Sequence, residues 1–333
     1  MISRRGFIVV TAGTLLSGMT GCNPETPPPS DSGKTQIPPP DAKSKTDAKP
    51  KAVIGVSLLT LANPFFKDMG DAIKAEGAKL GYEVEVVAGE MDASRQKGQI
   101  DDFIVKKVAA IVLSPCDSRS VGTAIQAANT AGIPVFTADI ASLDKTSKVV
   151  CHIATDNYEG GKLAGQAMVE AIGGKGDVAI IDHPEVESVI LRTKGFKEIV
   201  AGSKDIHIKA QLPGGAARDT AYKTAQDILE HYPDLVGIFC INDPTAFGAI
   251  AAVEKAGRQS KIKIISFDGQ LEAKAAIRDG KIYAEPIQYP DKIGATTIQT
   301  ISKYMAGEKV PDHILIPTTL YRKADADKEL PIK

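Results

Sequence analysis

Three short apolar runs in this sequence end on residues able to hydrogen-bond a polyhydroxylated molecule. Val135-Phe136-Thr137-Ala138 runs into Asp139, Ile238-Phe239-Cys240-Ile241 into Asn242-Asp243, and Ile264-Ile265-Ser266-Phe267 into Asp268-Gly269. A carboxylate accepts hydrogen bonds in fixed directions and a carboxamide both donates and accepts, so several of them at one edge can hold vicinal hydroxyls. Singly, an Asp after a strand serves equally well as a helix cap or turn former, a use that Asp268-Gly269 also has open to it. The motifs of common catalysts are missing. No Gly-x-Gly-x-x-Gly follows the first apolar run, no Walker loop occurs, and Gly160-Gly161-Lys162 and Gly173-Gly174-Lys175 lack the required spacing. His152, His183, His207, His231 and His313 are scattered without metal-ligand spacing, and there is no Gly-x-Ser-x-Gly. Neither enzymatic activity nor a cofactor or metal is expected.

The elements that must position these residues follow one rhythm. Short β-branched runs at 53–59, 83–88, 109–114, 135–138, 149–154, 178–181, 206–211, 237–241, 262–267 and 282–287 alternate with segments of helical length. That pattern builds a parallel sheet covered on both faces. In 65–80, Phe66, Met69, Ile73 and Leu80 share one helical face and Gly81 ends the run; 121–131, 157–172 and 245–256 read the same way. Ligands of such sheets bind beyond the carboxyl ends of the strands, which is where Asp139, Asn242 and Asp268 stand.

At 333 residues the chain exceeds one ordinary α/β core, so two lobes are expected. With 43% hydrophobic and 24% charged residues and a formal net charge of -1, it has no positive surplus for nucleic acid. Of four cysteines, Cys151 and Cys240 lie in apolar runs and read as small buried hydrophobes; Cys116 completes the three in the folded part, and no CxxC occurs. The fourth, Cys22, belongs to an address. Arg4 and Arg5 precede an apolar stretch at 7–16, then small residues, which is a secretory signal too short to span a bilayer as a mature helix. Ser3-Arg4-Arg5-Gly6-Phe7-Ile8 resembles a twin-arginine export motif, and Met19-Thr20-Gly21-Cys22 a bacterial lipobox whose cysteine is acylated, with Met19 where leucine is commoner. Residues 23–50, with two Pro-Pro-Pro runs and almost nothing apolar, cannot form a core. They read as a stalk, stiffened toward about 3.1 Å per residue by proline.

Leu61-Ala62-Asn63-Pro64-Phe65-Phe66, followed by a helix and Lys79-Leu80-Gly81-Tyr82, closely resembles the opening of the ribose-binding protein family, the type 1 periplasmic sugar receptors of ABC transporters. Further stretches match in order: Ile133-Pro134-Val135 leading to Asp139, His152 to Asn157 with Gly160-Gly161-Lys162, Gly195-Phe196, Asn242-Asp243, Phe267-Asp268-Gly269, and Gln288-Tyr289-Pro290-Asp291-Lys292-Ile293-Gly294. The resemblance spans roughly 52–325. It implies two doubly wound α/β lobes joined by a three-crossing hinge near Thr155, Gln288 and Pro317, with 51–154 plus 289–317 as the N-terminal lobe and 155–288 plus 318–333 as the C-terminal one. It further implies sugar contacts at Asn63, Phe65, Phe66, Asp139, Asn242, Asp268 and Gln288. The phenylalanines offer apolar faces to the C–H side of a sugar ring.

Three positions depart from the family's pattern. Ile140 and Ile190 stand where ribose receptors carry arginines, Arg192 matches a non-contacting neighbour, and Ala216 replaces an aromatic that closes over the ring. Losing two charged clamps, each worth roughly 1.5–3 kcal/mol, argues against ribose and for a deoxy, partly apolar or bulkier sugar-like ligand. His183, Glu185 and Glu187, just before Ile190, are the residues able to restore polarity there. Removing Asp139, Asn242 or Asp268 is expected to weaken binding while leaving stability near its original value. The expected partners are a small sugar-like ligand and an ABC permease, or alternatively a chemoreceptor or sensor kinase. The protein is expected to be a monomer on the periplasmic or extracytoplasmic face of a bacterial membrane, touching the bilayer only through lipid on Cys22.

Overall fold

The computed structural model describes residues 52–331; the export signal, Cys22 and the stalk lie outside the described residues. From the start, strand and helix alternate: β1 (Val53–Leu58), α1 (Pro64–Lys79), β2 (Glu83–Ala88), α2 (Ala93–Lys106), β3 (Ala110–Leu113), α3 (Gly122–Thr130), β4 (Val135–Ala138) and β5 (His152–Thr155). The alternation continues through α4 (Asn157–Ala171), β6 (Lys175–Asp182), α5 (Glu187–Ala201), β7 (Asp205–Pro213), α6 (Arg218–His231), β8 (Leu235–Cys240), α7 (Asp243–Lys255), β9 (Lys263–Ile265), α8 (Leu271–Arg278) and β10 (Ala284–Ile287). The last elements are α9 (Pro290–Met305), β11 (His313–Ile316), β12 (Thr319–Arg322) and α10 (Lys323–Glu329).

The strands form two six-stranded sheets, ordered β11-β5-β4-β3-β1-β2 and β12-β10-β9-β8-β6-β7. Each is the centre of one α/β lobe. Fully buried runs such as Ala110–Leu113 and Val135–Ala138 show why these strands read as continuous apolar segments: helices cover both faces. The chain passes between the sheets three times, after β5, after β10, and between β11 and β12.

Two short strands lack a clear sequence signal. β11 and β12 are four residues each, with burial that alternates rather than continuous apolar character. β11 runs toward the hinge like its neighbour β5 and pairs with it in parallel, whereas β12 leaves the hinge as β10 enters it. That opposed direction makes β12–β10 antiparallel, an edge exception to an otherwise parallel pair of sheets.

Close helix packing explains one glycine pair. A side-chain carbon at Gly161 on α4 would collide with the Arg192 carbonyl oxygen on α5, and one at Gly195 with the Tyr158 carbonyl oxygen. Bare backbone on both sides lets the helices approach closely and sets the depth at which α5 carries Arg192. Cys116, Cys151 and Cys240 are buried free thiols, and burial raises the first two to about 11, consistent with inert core residues.

Candidate functional site

A cavity of about 30 Å³ lies between the lobes at the carboxyl ends of the strands. The first lobe contributes Leu59, Asn63, Phe65, Phe66, Asp139 and Ile140; the second His183, Val186, Ser188, Val189, Arg192, Ala216, Asn242 and Asp268; and Gln288 comes from the hinge strand. Every residue expected at the site is therefore here except Ile190.

The local structure fixes each polar group. Asn63 caps α1, its Oδ1 accepting from Phe65 N at 3.0 Å, which occupies the carbonyl end of the amide and leaves Nδ2 as donor. Asn242 caps α7 in the same way, with Thr245 N at 2.9 Å from Oδ1, while Nδ2 donates to Ala216 O at 3.3 Å. The capping role first weighed for Asp268 thus belongs to the two asparagines. Phe65 meets Phe66 edge to face at 5.1 Å between centroids, both rings buried.

Asp139 and Asp268 both take positive φ, at 67° and 116°. Such backbone is uncommon outside glycine and, at Asp268, lies beyond the usual left-handed well, so the surrounding structure holds each carboxylate in place. Asp139 N donates to Ile153 O at 2.8 Å, and Asp268 bridges to the hinge through Asp268 N to Pro286 O at 3.2 Å and Gln288 N to Asp268 O at 2.7 Å.

The electrostatics are dominated by burial. Asp139 Oδ1 has no hydrogen-bond partner in the described chain, and burial raises its carboxyl to about 7 against the opposing pull of Arg192. Asp268 is likewise raised by burial, although Arg192 Nη1 at 3.2 Å and Gln288 Nε2 at 2.7 Å both donate to its Oδ1. That second bond orients the Gln288 amide and leaves its Oε1 buried without a donor. His183 Nδ1 lies 2.9 Å from Glu185 Oε2, burial lowers the imidazole pKa, and Nε2 is buried without a hydrogen-bond partner in the described chain. Three buried polar atoms, one from each lobe and one from the hinge, thus converge on the cavity without partners in the described chain. Beneath them Asp243 accepts from Ser266 Oγ at 2.8 Å and Gln270 N at 2.9 Å beside wholly buried Glu285, whose pKa is raised well by burial and by the Asp243 charge.

Two expectations need correction. Ile190 does not line the cavity; Ser188, Val189 and Arg192 of α5 do. The phase of the helix decides this: Val189, Arg192, Thr193 and Phe196 recur at one-face spacing and are buried, while Ile190 shares its face with Lys194 and Lys197. That spacing was readable and would have flagged Arg192 as an arginine on an apolar stripe. Nor is Arg192 a bystander. Its guanidinium bonds Asn157 Oδ1 through Nε at 2.8 Å, Ile241 O through Nη1 at 2.8 Å, and lies 3.9 Å from the Phe267 ring centroid. Of the three residues named as able to restore polarity, His183 reaches the cavity, and Glu185 and Glu187 are not among its walls.

A second cavity, about 680 Å³, opens beside the first. It is lined from the first lobe by Ala62, Pro64, Glu90 and Met91 and from the second by Arg218, Pro244, Phe247 and Leu271, among others, and it shares Asn63 and Ala216 with the inner cavity.

Residues 54–309 match the model of the periplasmic binding protein domain. The ribose import binding protein of Escherichia coli K12 is 33% identical over 270 residues, 81% of this chain and 90% of that protein. The D-apiose import binding protein of Paraburkholderia graminis is 32% identical over 270 residues, 80% of this chain and 86% of that protein. Among solved structures, a solute-binding protein of an ABC transporter from Actinobacillus succinogenes with bound D-allose superposes with a TM-score of 0.78 at 29% identity, covering 84% of this chain and 100% of the other.

Proposed function

We propose, from the premise that this chain belongs to the periplasmic binding protein family, that it is the extracytoplasmic sugar-binding component of an ABC importer. The observation that carries this is the convergence of unpartnered buried polar atoms, Asp139 Oδ1, His183 Nε2 and Gln288 Oε1, from both lobes and the hinge on one cavity. Polar atoms that lost water on burial regain hydrogen bonds from a ligand whose groups both donate and accept, which describes the hydroxyls of a polyol or sugar.

Binding requires the lobes to part. A cavity of about 30 Å³ has room for roughly two waters, far less than a sugar ring, and its walls come from both lobes. A ligand touching both sides favours the closed arrangement by its differential contacts, which is the signal a transporter reads. No bond in the ligand is altered.

The ligand we assign is not ribose. Ile140, Val186 and Val189 make one side of the cavity apolar, and the guanidinium of Arg192 is committed to protein acceptors. A ligand hydroxyl on that side would lose water without a new partner, at roughly 1–3 kcal/mol per group, so a deoxy or partly apolar edge fits better. Export through the twin-arginine signal, acylation at Cys22 and a Pro-rich stalk would hold the monomeric receptor beside its permease.

Calorimetry over pentoses, hexoses, deoxy sugars and polyols, with small-angle scattering on the best binder, tests the reading. A receptor compacts and returns its ligand unchanged. Absent compaction, or consumption of the ligand, overturns the receptor role, and micromolar or tighter ribose binding overturns the specificity.

A further inference from the structure

The small inner cavity and the 680 Å³ outer one share two wall residues, Asn63 and Ala216. Ala216 stands where the two spaces adjoin: its side chain is one methyl group, its backbone takes a φ of 50°, and its carbonyl accepts from Asn242 Nδ2, so little bulk from this lobe separates them there. Beyond it the walls are apolar on both lobes, with Pro64 and Met91 facing the side of Phe247 and Leu271. Leu271 is 71% exposed, unusual for a leucine that lines a cavity.

The charged rim residues are largely satisfied by the protein. Glu90 accepts from Thr60 Oγ1 at 2.7 Å and Leu61 N at 3.3 Å, while Arg218 pairs with Glu272 at 2.9 Å and lies over the Phe247 ring at 4.6 Å. With Glu90, Asp219 and Glu272 against Arg218 the rim is net acidic, which disfavours a phosphorylated or carboxylated group. The surface left to be covered is apolar, in a cavity of ordinary ligand-binding size.

We propose that the outer cavity is a second subsite for the same ligand, taking an uncharged apolar or aromatic substituent carried by the sugar bound in the inner cavity, so that the cargo is a glycoside rather than a free monosaccharide. This rests on the sugar-receptor reading above and specifies its ligand class. The sugar hydroxyls hydrogen-bond Asp139, His183 and Gln288, and its substituent leaves past Ala216 to lie against Phe247 and Leu271.

The test is calorimetry of the full-length protein against matched methyl and phenyl glycosides of the sugars in the panel above. The phenyl member of a pair binds at least about tenfold tighter, the yield of burying roughly half a phenyl ring. In the Met91→Ser, Leu271→Ser double variant, whose residues line only the outer cavity, the methyl glycoside keeps its affinity and the phenyl advantage falls at least threefold. Equal affinities within each pair, an advantage that survives the double variant, or binding of free sugars but of no glycoside each overturns the subsite and leaves the sugar-receptor reading standing. If the double variant instead impairs docking to the permease with the ratio unchanged, the apolar surface belongs to a protein contact and the subsite is likewise overturned. Failure of sugars and glycosides alike overturns both.

Discussion

Arg192 Nη1 lies 3.2 Å from Asp268 Oδ1, and both side chains are almost wholly buried. The pair ties the middle of α5 to the loop after β9, and through Gln288 to the hinge strand. Asp268 is therefore structural as well as ligand-facing, which changes the expected outcome of removing it. Asp268→Ala strands a buried guanidinium, and Arg192→Met strands a buried carboxylate. Each should cost about 3–5 kcal/mol in urea unfolding. The double variant should recover a large part of that loss, as a double-mutant cycle will report. A stable Asp268→Ala single variant would show that Arg192 finds another acceptor.

Asp139 has no such partner, and its variant behaves oppositely. Its carboxyl is raised to about 7 in the folded protein by burial. Between the unfolded value near 4 and the folded one near 7, the native state binds more protons than the unfolded state, so stability is lost as pH rises through that window. Asp139→Asn removes the loss. Its melting temperature should match the parent at pH 4 and exceed it increasingly up to pH 7–8, while ligand affinity falls at least tenfold. A variant less stable than the parent at pH 8 refutes the assignment of Asp139 as a binding group kept at the expense of stability.

Glu285 tests the layer beneath the site. It is fully buried on β10, three residues before Gln288, and burial and the Asp243 charge raise its carboxyl well above the usual carboxylate range. A proton held there can be shared with the neighbouring Asp243 carboxyl. Glu285→Gln retains a donor of the same size; because the raised carboxyl costs stability as pH climbs above its unfolded value near 4, the variant should match the parent at about pH 4 and exceed it increasingly at higher pH. Glu285→Ala opens a cavity beside a buried carboxylate and should cost about 2 kcal/mol or more. Equal melting temperatures for the two variants across pH would remove Glu285 from this role.

The α4–α5 contact makes a packing prediction. Gly161→Ala places a methyl against the Arg192 carbonyl, where backbone rather than a flexible side chain stands in the way. The helices must separate, at about 1–3 kcal/mol, and Arg192 moves with α5. Ligand affinity should drop together with the denaturation midpoint. Weakened stability with unchanged affinity would show that the site tolerates displacement of α5.

Cys22→Ser tests the proposed lipid anchor. Fractionation should find the variant released from the membrane with its ligand affinity intact. Retention at the membrane would point to an uncleaved apolar segment or to a bound partner instead of lipid.

Much of this protein is decided locally. The alternation of buried β-branched runs with amphipathic helices specifies parallel α/β lobes, because periods of 2 and 3.6 are properties of neighbouring residues. The strand-end positions of Asp139, Asn242 and Asp268, and the Asn63-Pro64-Phe65-Phe66 helix start, follow from the same local order. What each residue does there was settled by contacts distant in sequence. Ile190 and Arg192 are two positions apart on α5; the helical phase separates their faces, but which face turns to the cleft was decided by the packing of that helix against α4 and β6. The direction of β12 was decided by the chain's third passage through the hinge rather than by its four residues. The shared wall at Ala216 exists only because a loop of one lobe meets the helix start of the other. No local pattern in Gly214-Gly215-Ala216-Ala217 encodes the outer cavity, since its volume belongs to the space between two lobes and not to either segment of chain.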